Sequence, residues 1–253
     1  MLDPDSFPDD PVILNVALLH SPARVFYLRV RLIELNYKVF RRNYEVLRTV
    51  LVKAQSPETF HEMWVVGKEK EFSLVTDEII RLLHNMAASA MTYIEHVRAV
   101  LRDWYKGTDF LKEYESEVAE RFTENIITRF FEDLRNYTLH YALPLTTGEV
   151  RFETDPDTDE EIPIQTFYIE KEQLLLWDGW KAKKGRPFLN QADDQINLLE
   201  LIDSYYTEIN EFYEWVMDRL GELHAEEIVW LNKMNAKLNK ALEPLRKMRP
   251  PEE

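Results

Sequence analysis

Scarcity of glycine constrains this chain more than any other feature. Six glycines occur in 253 residues, and long stretches between them carry apolar residues three and four apart. A chain with that spacing and so few backbone breakers builds long amphipathic helices. Ser21 and Pro22 form an N-cap and first-turn pair. The stretch that follows, ARVFYLRVRLIELNYKVFRRNYEVLRTVLVKA, predicts one helix to Ala54, a rod of roughly 50 Å at a rise of about 1.5 Å per residue. Ser56, Pro57 and Glu58 open a short helix that loosens near Gly67. A second long helix is expected from about Leu74 to Tyr105, in which Ala87, Ala88, Ser89 and Ala90 leave room for another helix to approach closely. Lys106 and Gly107 end it, and Thr108 or Asp109 caps a third helix. That third helix stops before Pro144, whose ring cannot continue it.

The ends and the middle of the chain read differently. Residues 1–20 are expected to be an irregular acidic arm, in which VILNVALLH could dock as a short apolar segment. After Pro144, Val150 and Phe152 alternate with polar residues, as do Ile162, Ile164, Phe167 and Ile169, around the turn-rich TDPDTDEE. This predicts a β-hairpin at about 148–170. A tryptophan-rich connector follows, then a helical stretch over about 193–244 with a break near Gly221, and a frayed tail at 247–253. Long antiparallel helices joined by short loops make a bundle. The expected architecture is therefore mostly α: one helical-bundle domain over 21–246 carrying one inserted β-hairpin.

Composition narrows the function classes. With 45% apolar residues the chain can bury a substantial core, so it is not a disordered acidic tail. No apolar run approaches the ~18 residues a membrane span needs, and the acidic N-terminus is the opposite of a signal peptide. A cytoplasmic protein is the expectation. The absence of cysteine removes disulfides, thiolate zinc sites and cysteine nucleophiles. A formal net charge of −15 argues against a broad nucleic-acid-coating surface, while allowing one local positive patch or a basic partner.

The third helix ends in LRNYTLHYALP, residues 134–144. Placed about 100° apart, Thr123, Ile126, Phe130, Leu134, Tyr137 and Tyr141 share a broad core face. Arg129, Asp133, Asn136 and His140 follow one another at spacings of four, three and four, a polar strip on the flank of that face. Arg135 points elsewhere, about 140° from His140 on an ideal helix. Three routes could bring the two together: a distorted last turn, an arginine that wraps round, or a second chain.

An Arg-x4-His motif with Asn directly after the arginine, at the C-terminal end of a bundle helix, resembles the motif of HEPN domains. The resemblance covers at best residues 74–144 and leaves the hairpin unexplained. Members of that family are all-helical bundles, many of them metal-independent ribonucleases of toxin–antitoxin, phage-defence and RNA-processing systems. Others have lost catalysis and serve as binding modules. Many dimerise so that two motifs converge in one cleft. The resemblance implies a homodimer acting on RNA without metal or cofactor, with Arg135 and His140 as the catalytic pair, Asn136 in support, and an antitoxin or other protein as partner. It also implies cleavage by the neighbouring 2′-hydroxyl. Histidine exchanges protons near neutral pH, and arginine stabilises charge on the pentacoordinate phosphorus. One toxin subfamily carries a tyrosine two residues after the histidine. Here Ala142 stands there, so that subfamily's control by tyrosine modification does not carry over.

The bare motif is weak, because the chain holds a second match, Arg219 and His224, without the asparagine. The plainer account of the first match is an Arg135–Glu132 surface ion pair, a histidine favoured by the helix C-terminus and two core tyrosines. The connector supplies the one basic and aromatic segment. There Lys181, Lys183, Lys184 and Arg186 could contact an RNA backbone, and Trp177 and Trp180 could stack bases. The plainer alternative has the tryptophans anchoring the connector on the bundle. Metal binding has little support: His84 and His96 point about 120° apart on one helix, and only Glu58 and His61 make a Glu-x2-His pair. No phosphate-cradling glycine loop or Gly-x-Ser-x-Gly elbow is present. The acidic hairpin loop reads as a solvated turn, or as a dock for a basic partner.

Overall fold

The computed structural model describes residues 1–155, 159–181 and 184–247. Lys183, part of the acidic hairpin loop and all but the first residue of the expected 247–253 tail lie outside the described residues.

Residues 11–19, expected to be irregular, form helix α1 (Pro11–Leu19). Asp10 and Pro11 repeat the cap-and-proline logic of Ser21 and Pro22: the Asp10 carboxylate accepts hydrogen bonds from the amides of Val12 (2.8 Å) and Ile13 (3.1 Å). Helix α2 (Pro22–Ala54) starts where the sequence places it. Ser21 Oγ accepts from the Arg24 amide at 3.0 Å. A short α3 (Phe60–Met63) precedes Gly67, whose φ of +91° suits glycine alone among ordinary residues. Helix α4 (Glu69–Trp104) follows.

The third helix is broken where one continuous rod was expected. Helix α5 (Asp109–Val118) runs into a π-helical turn (Ala119–Glu124), and α6 (Ile126–His140) starts afresh. The cause is Asn125, whose side chain accepts from the amides of Ile127 (2.9 Å) and Thr128 (3.2 Å). An asparagine that caps a new helix competes with continuation of the old one.

The hairpin forms as β1 (Thr146–Thr154) and β2 (Glu161–Glu170), antiparallel with Thr146 opposite Ile169. Gly148 is needed there, because a Cβ would sit 2.5 Å from the Trp64 ring. After α7 (Lys171–Leu175) and α8 (Gly185–Gln191), residues expected to be helical instead make β3 (Gln195–Asn197), which pairs with β2. The last stretch divides into α9 (Leu198–Leu223) and α10 (Ala225–Lys247). The break falls at His224, close to Gly221 as expected, and Pro244 lies inside α10.

The chain, read from sequence as one bundle domain, divides into two compact units. One comprises Met1–Leu35 with Tyr213–Glu253, and its core joins Leu14 and Leu18 of α1 to Trp230, Leu231 and Met234 of α10. The other comprises Asn36–Phe212 and holds the LRNYTLHYALP helix and the sheet. Its core includes Phe131 stacked on Tyr205 at 3.7 Å, and Phe167 of β2 against Trp64 and Phe72. Among the described residues no single helix is long and apolar enough to cross a membrane.

Candidate functional site

Helix α6 presents two sides with different fates. On the first, Asp133 is 0% exposed. Its Oδ2 accepts hydrogen bonds from the amides of Lys181 (3.1 Å) and Gly185 (3.0 Å), so the connector wraps around a buried carboxylate. Gly185 permits this approach: a Cβ there would lie 2.7 Å from the Trp180 ring and 3.0 Å from the Asp133 Cβ. Trp180 is buried, stacked on Phe130 (5.5 Å) and Tyr137 (5.7 Å), and its indole N–H donates to the Leu174 carbonyl at 2.6 Å. Its ring faces are thus used within the fold. Half-buried Trp177 lies edge-on to Tyr137 at 5.6 Å, with Tyr141 tilted against it at the protein surface. Burial raises the Tyr137 phenol above its usual pKa.

The second side carries the rest of the motif. Arg135 and Asn136 are half-buried and His140 is exposed at the end of the helix. Arg135 Nε is shielded from solvent and has no hydrogen-bond partner among the described residues. Among the described residues, none of these three side chains makes a hydrogen bond or an ion pair. The expected Arg135–Glu132 pair does not form, because Glu132 pairs with Lys184 of the connector. Helix α6 keeps regular hydrogen bonding to its end, with the Tyr141 amide on the Tyr137 carbonyl at 2.9 Å. A distorted last turn therefore does not carry Arg135 toward His140.

A residue considered from sequence only as a metal ligand belongs to this region. His84 of α4 places Nδ1 3.1 Å from Thr138 Oγ1, inside the motif. Thr138 Oγ1 has one proton and donates it to the Arg135 carbonyl at 2.9 Å. His84 Nδ1 must then be the donor, which in a neutral ring leaves the lone pair on Nε2. The small residues of α4 announced a close helix approach, and Ala87 and Ala90 are indeed buried. The pairing of His84 with Thr138 is a matter of register between two helices, which single-chain spacing does not encode.

Further along the same helix pair, α4 and α6 border a cavity of about 590 Å³. Half-buried Arg98 and Arg129 line it together with Lys184, Glu95 and Glu132. Neither arginine has a carboxylate within ion-pair distance among the described residues. Of the connector cations, Lys181 and Arg186 are exposed and Lys184 is engaged with Glu132. Among the described residues no three His, Asp or Glu side chains converge as a metal site requires.

Comparison of the chain with protein-family models, with curated proteins and with solved structures finds no match.

Proposed function

We propose that this chain is an HEPN-like, metal-independent endoribonuclease that works as a homodimer, in a toxin–antitoxin or defence setting in the cytoplasm. One observation carries the reading: Arg135, Asn136 and His140, on the last turns of one helix, make no side-chain hydrogen bond or ion pair among the described residues. A fold that needed these residues for its own stability would engage them, as it engages Asp133 of the same helix.

In this reading the RNA 2′-hydroxyl attacks the adjacent phosphorus and the 5′-oxygen leaves, giving a 2′,3′-cyclic phosphate and a 5′-hydroxyl. His140 exchanges the proton, off the attacking hydroxyl or onto the departing oxygen. Arg135 stabilises the charge that builds on phosphorus, and Asn136 holds a phosphate oxygen or orients the imidazole. On a regular helix Arg135 and His140 diverge, so the second copy supplies the complementary group. Arg98, Arg129, Lys181 and Arg186 offer positive charge for the RNA backbone on a chain of net charge −15. The test is incubation of RNA with the wild-type chain in EDTA and analysis of product ends. Cyclic phosphate ends support the reading, and intact RNA at high enzyme concentration defeats it. Mixing Arg135→Ala with His140→Ala chains addresses the dimer: recovered cleavage marks a site shared by two copies.

A second reading, a non-catalytic interaction module, is favoured by a different feature. Val25, Leu28, Leu32 and Leu35 of α2 follow at spacings of three, four and three, and each is 46 to 49% or 54% exposed. An exposed row with that period is the seam of a helix that pairs with another. Light scattering of the wild type and of Leu28→Glu/Leu32→Glu separates the cases. A wild type that leaves RNA intact while the variant becomes monomeric supports the interaction module, and a monomeric variant that cuts RNA at the wild-type rate defeats both this reading and the shared dimeric site.

A further inference from the structure

The unit made of Met1–Leu35 and Tyr213–Glu253 holds a cavity of its own, built by α1, α2, α9 and α10. Its volume is about 380 Å³, within the range of small-molecule pockets. Phe26, Met217, Leu220 and Ile228 are among its apolar walls. Among the described residues one cation enters this apolar space, Arg24, close to the start of α2. Its Nε is shielded from solvent and finds no hydrogen-bond acceptor among the described residues, while its guanidinium lies 5.0 Å from the Tyr27 ring centroid. No carboxylate pairs with it among the described residues. Asn232 and Asn235 stand exposed on the cavity lining, with side-chain amides that make no hydrogen bond among the described residues.

Gly221 is an independent sign that the space is kept open. It lies inside α9, where glycine is a poor helix former. Its φ is not in the left-handed region, and a Cβ added to it would meet nothing within 4 Å. Neither backbone geometry nor close packing calls for glycine at this position. What the missing side chain leaves is room on the cavity wall.

We infer that this cavity binds a small amphipathic carboxylate, its apolar body against Phe26, Met217 and Leu220 and its carboxylate on Arg24. A guanidinium edge matches a carboxylate in two parallel hydrogen bonds. A single arginine balances a single negative charge. The two asparagine amides add neutral donors at the rim, and the strongly negative chain disfavours a multiply charged anion. The site is independent of the ribonuclease reading.

Octanoate, with octanol as its neutral counterpart, is a suitable probe on the full chain, followed by NMR of methyl-labelled methionine and by calorimetry. Octanoate should shift the Met217 methyl saturably and bind at least about tenfold more tightly than octanol. Arg24→Gln should remove that preference while leaving octanol binding as it was. Gly221→Phe should fill the cavity and abolish binding of both probes, with the melting temperature maintained or raised. Should Arg24→Gln fail to fold, the octanoate-to-octanol ratio on the wild type decides the role of charge. The inference is overturned if octanoate leaves the Met217 methyl unshifted up to millimolar concentration. It is equally overturned if the two probes bind alike, or if Gly221→Phe binds octanoate as the wild type does.

Discussion

The chain carries the Arg-x4-His spacing twice, each time at the end of a long amphipathic helix, and the two copies have opposite fates. At the end of α9, Arg219 pairs with Glu222. His224 stacks on Phe26 at 4.1 Å, lies 3.5 Å from Glu227, and accepts the Ile228 amide on its carbonyl at 3.0 Å. That histidine is a joint between α9 and α10. At the end of α6, Arg135 and His140 have no such ties among the described residues, although Asp133 and Tyr137 beside them are wholly committed to the core. A spacing alone does not distinguish a structural pair from a spare one. The neighbours do: the α9 pair is held by an ion pair and a ring stack, and the α6 side chains have neither among the described residues.

Catalysis should separate the two pairs most widely. Arg135→Ala should lower RNA cleavage by about 10²- to 10³-fold, as loss of a transition-state charge partner does, while Arg219→Ala stays within about twofold of wild type. Equal losses would erase the distinction. Next in size is stability on the committed side of α6. Asp133→Ala leaves the buried Gly185 amide and the part-buried Lys181 amide without an acceptor and should cost about 2–3 kcal/mol in urea unfolding. Asn136→Ala should stay within about 0.5 kcal/mol. The histidines should differ less: about 1 kcal/mol for His224→Ala, which loses its ring stack, and under about 0.5 kcal/mol for His140→Ala.

A further effect on the α6 side lies at high pH. Tyr205, stacked against Phe131 of α6, has its phenol pKa raised by burial. The raised native value means the unfolded chain loses this proton first. The contribution of Tyr205 to stability is therefore complete below about pH 10 and falls as pH rises toward the native value. Unfolding midpoints should drop above about pH 10, and Tyr205→Phe should flatten that drop by under about 1 kcal/mol at about pH 10.5. An unchanged slope would mean that this phenol ionises freely in the folded chain.

Much of the helical architecture was legible in residue spacing, because few glycines interrupt it and Ser21 with Pro22 marks a helix start without ambiguity. The same signal at Asp10 and Pro11 was obscured by the acidic, proline-rich residues before it, so α1 was missed. Asn125 was hidden for a different reason: asparagine inside an apolar rhythm reads as an exposed position until its side chain is seen capping α6. Strand β3 spans Gln195–Asn197 and exists because β2 offers it an edge, which no local pattern records. At the candidate site, the identities of Arg135, Asn136 and His140 were legible. The wheel angle between Arg135 and His140 was too, and α6 is regular to its end. The approach of His84 and the capture of Trp180 by Phe130 and Tyr137 were not, since both depend on how separate segments pack.

The central claim is that the spare pair on α6 does chemistry that the engaged pair on α9 does not. Its most direct test is RNA cleavage in EDTA by the wild type, His140→Ala and His224→Ala, each shown folded by circular dichroism. Cleavage is expected from the wild type and His224→Ala, with a loss of about 10²- to 10⁴-fold for His140→Ala. Intact RNA with the wild type, or equal cleavage by His140→Ala, would contradict it.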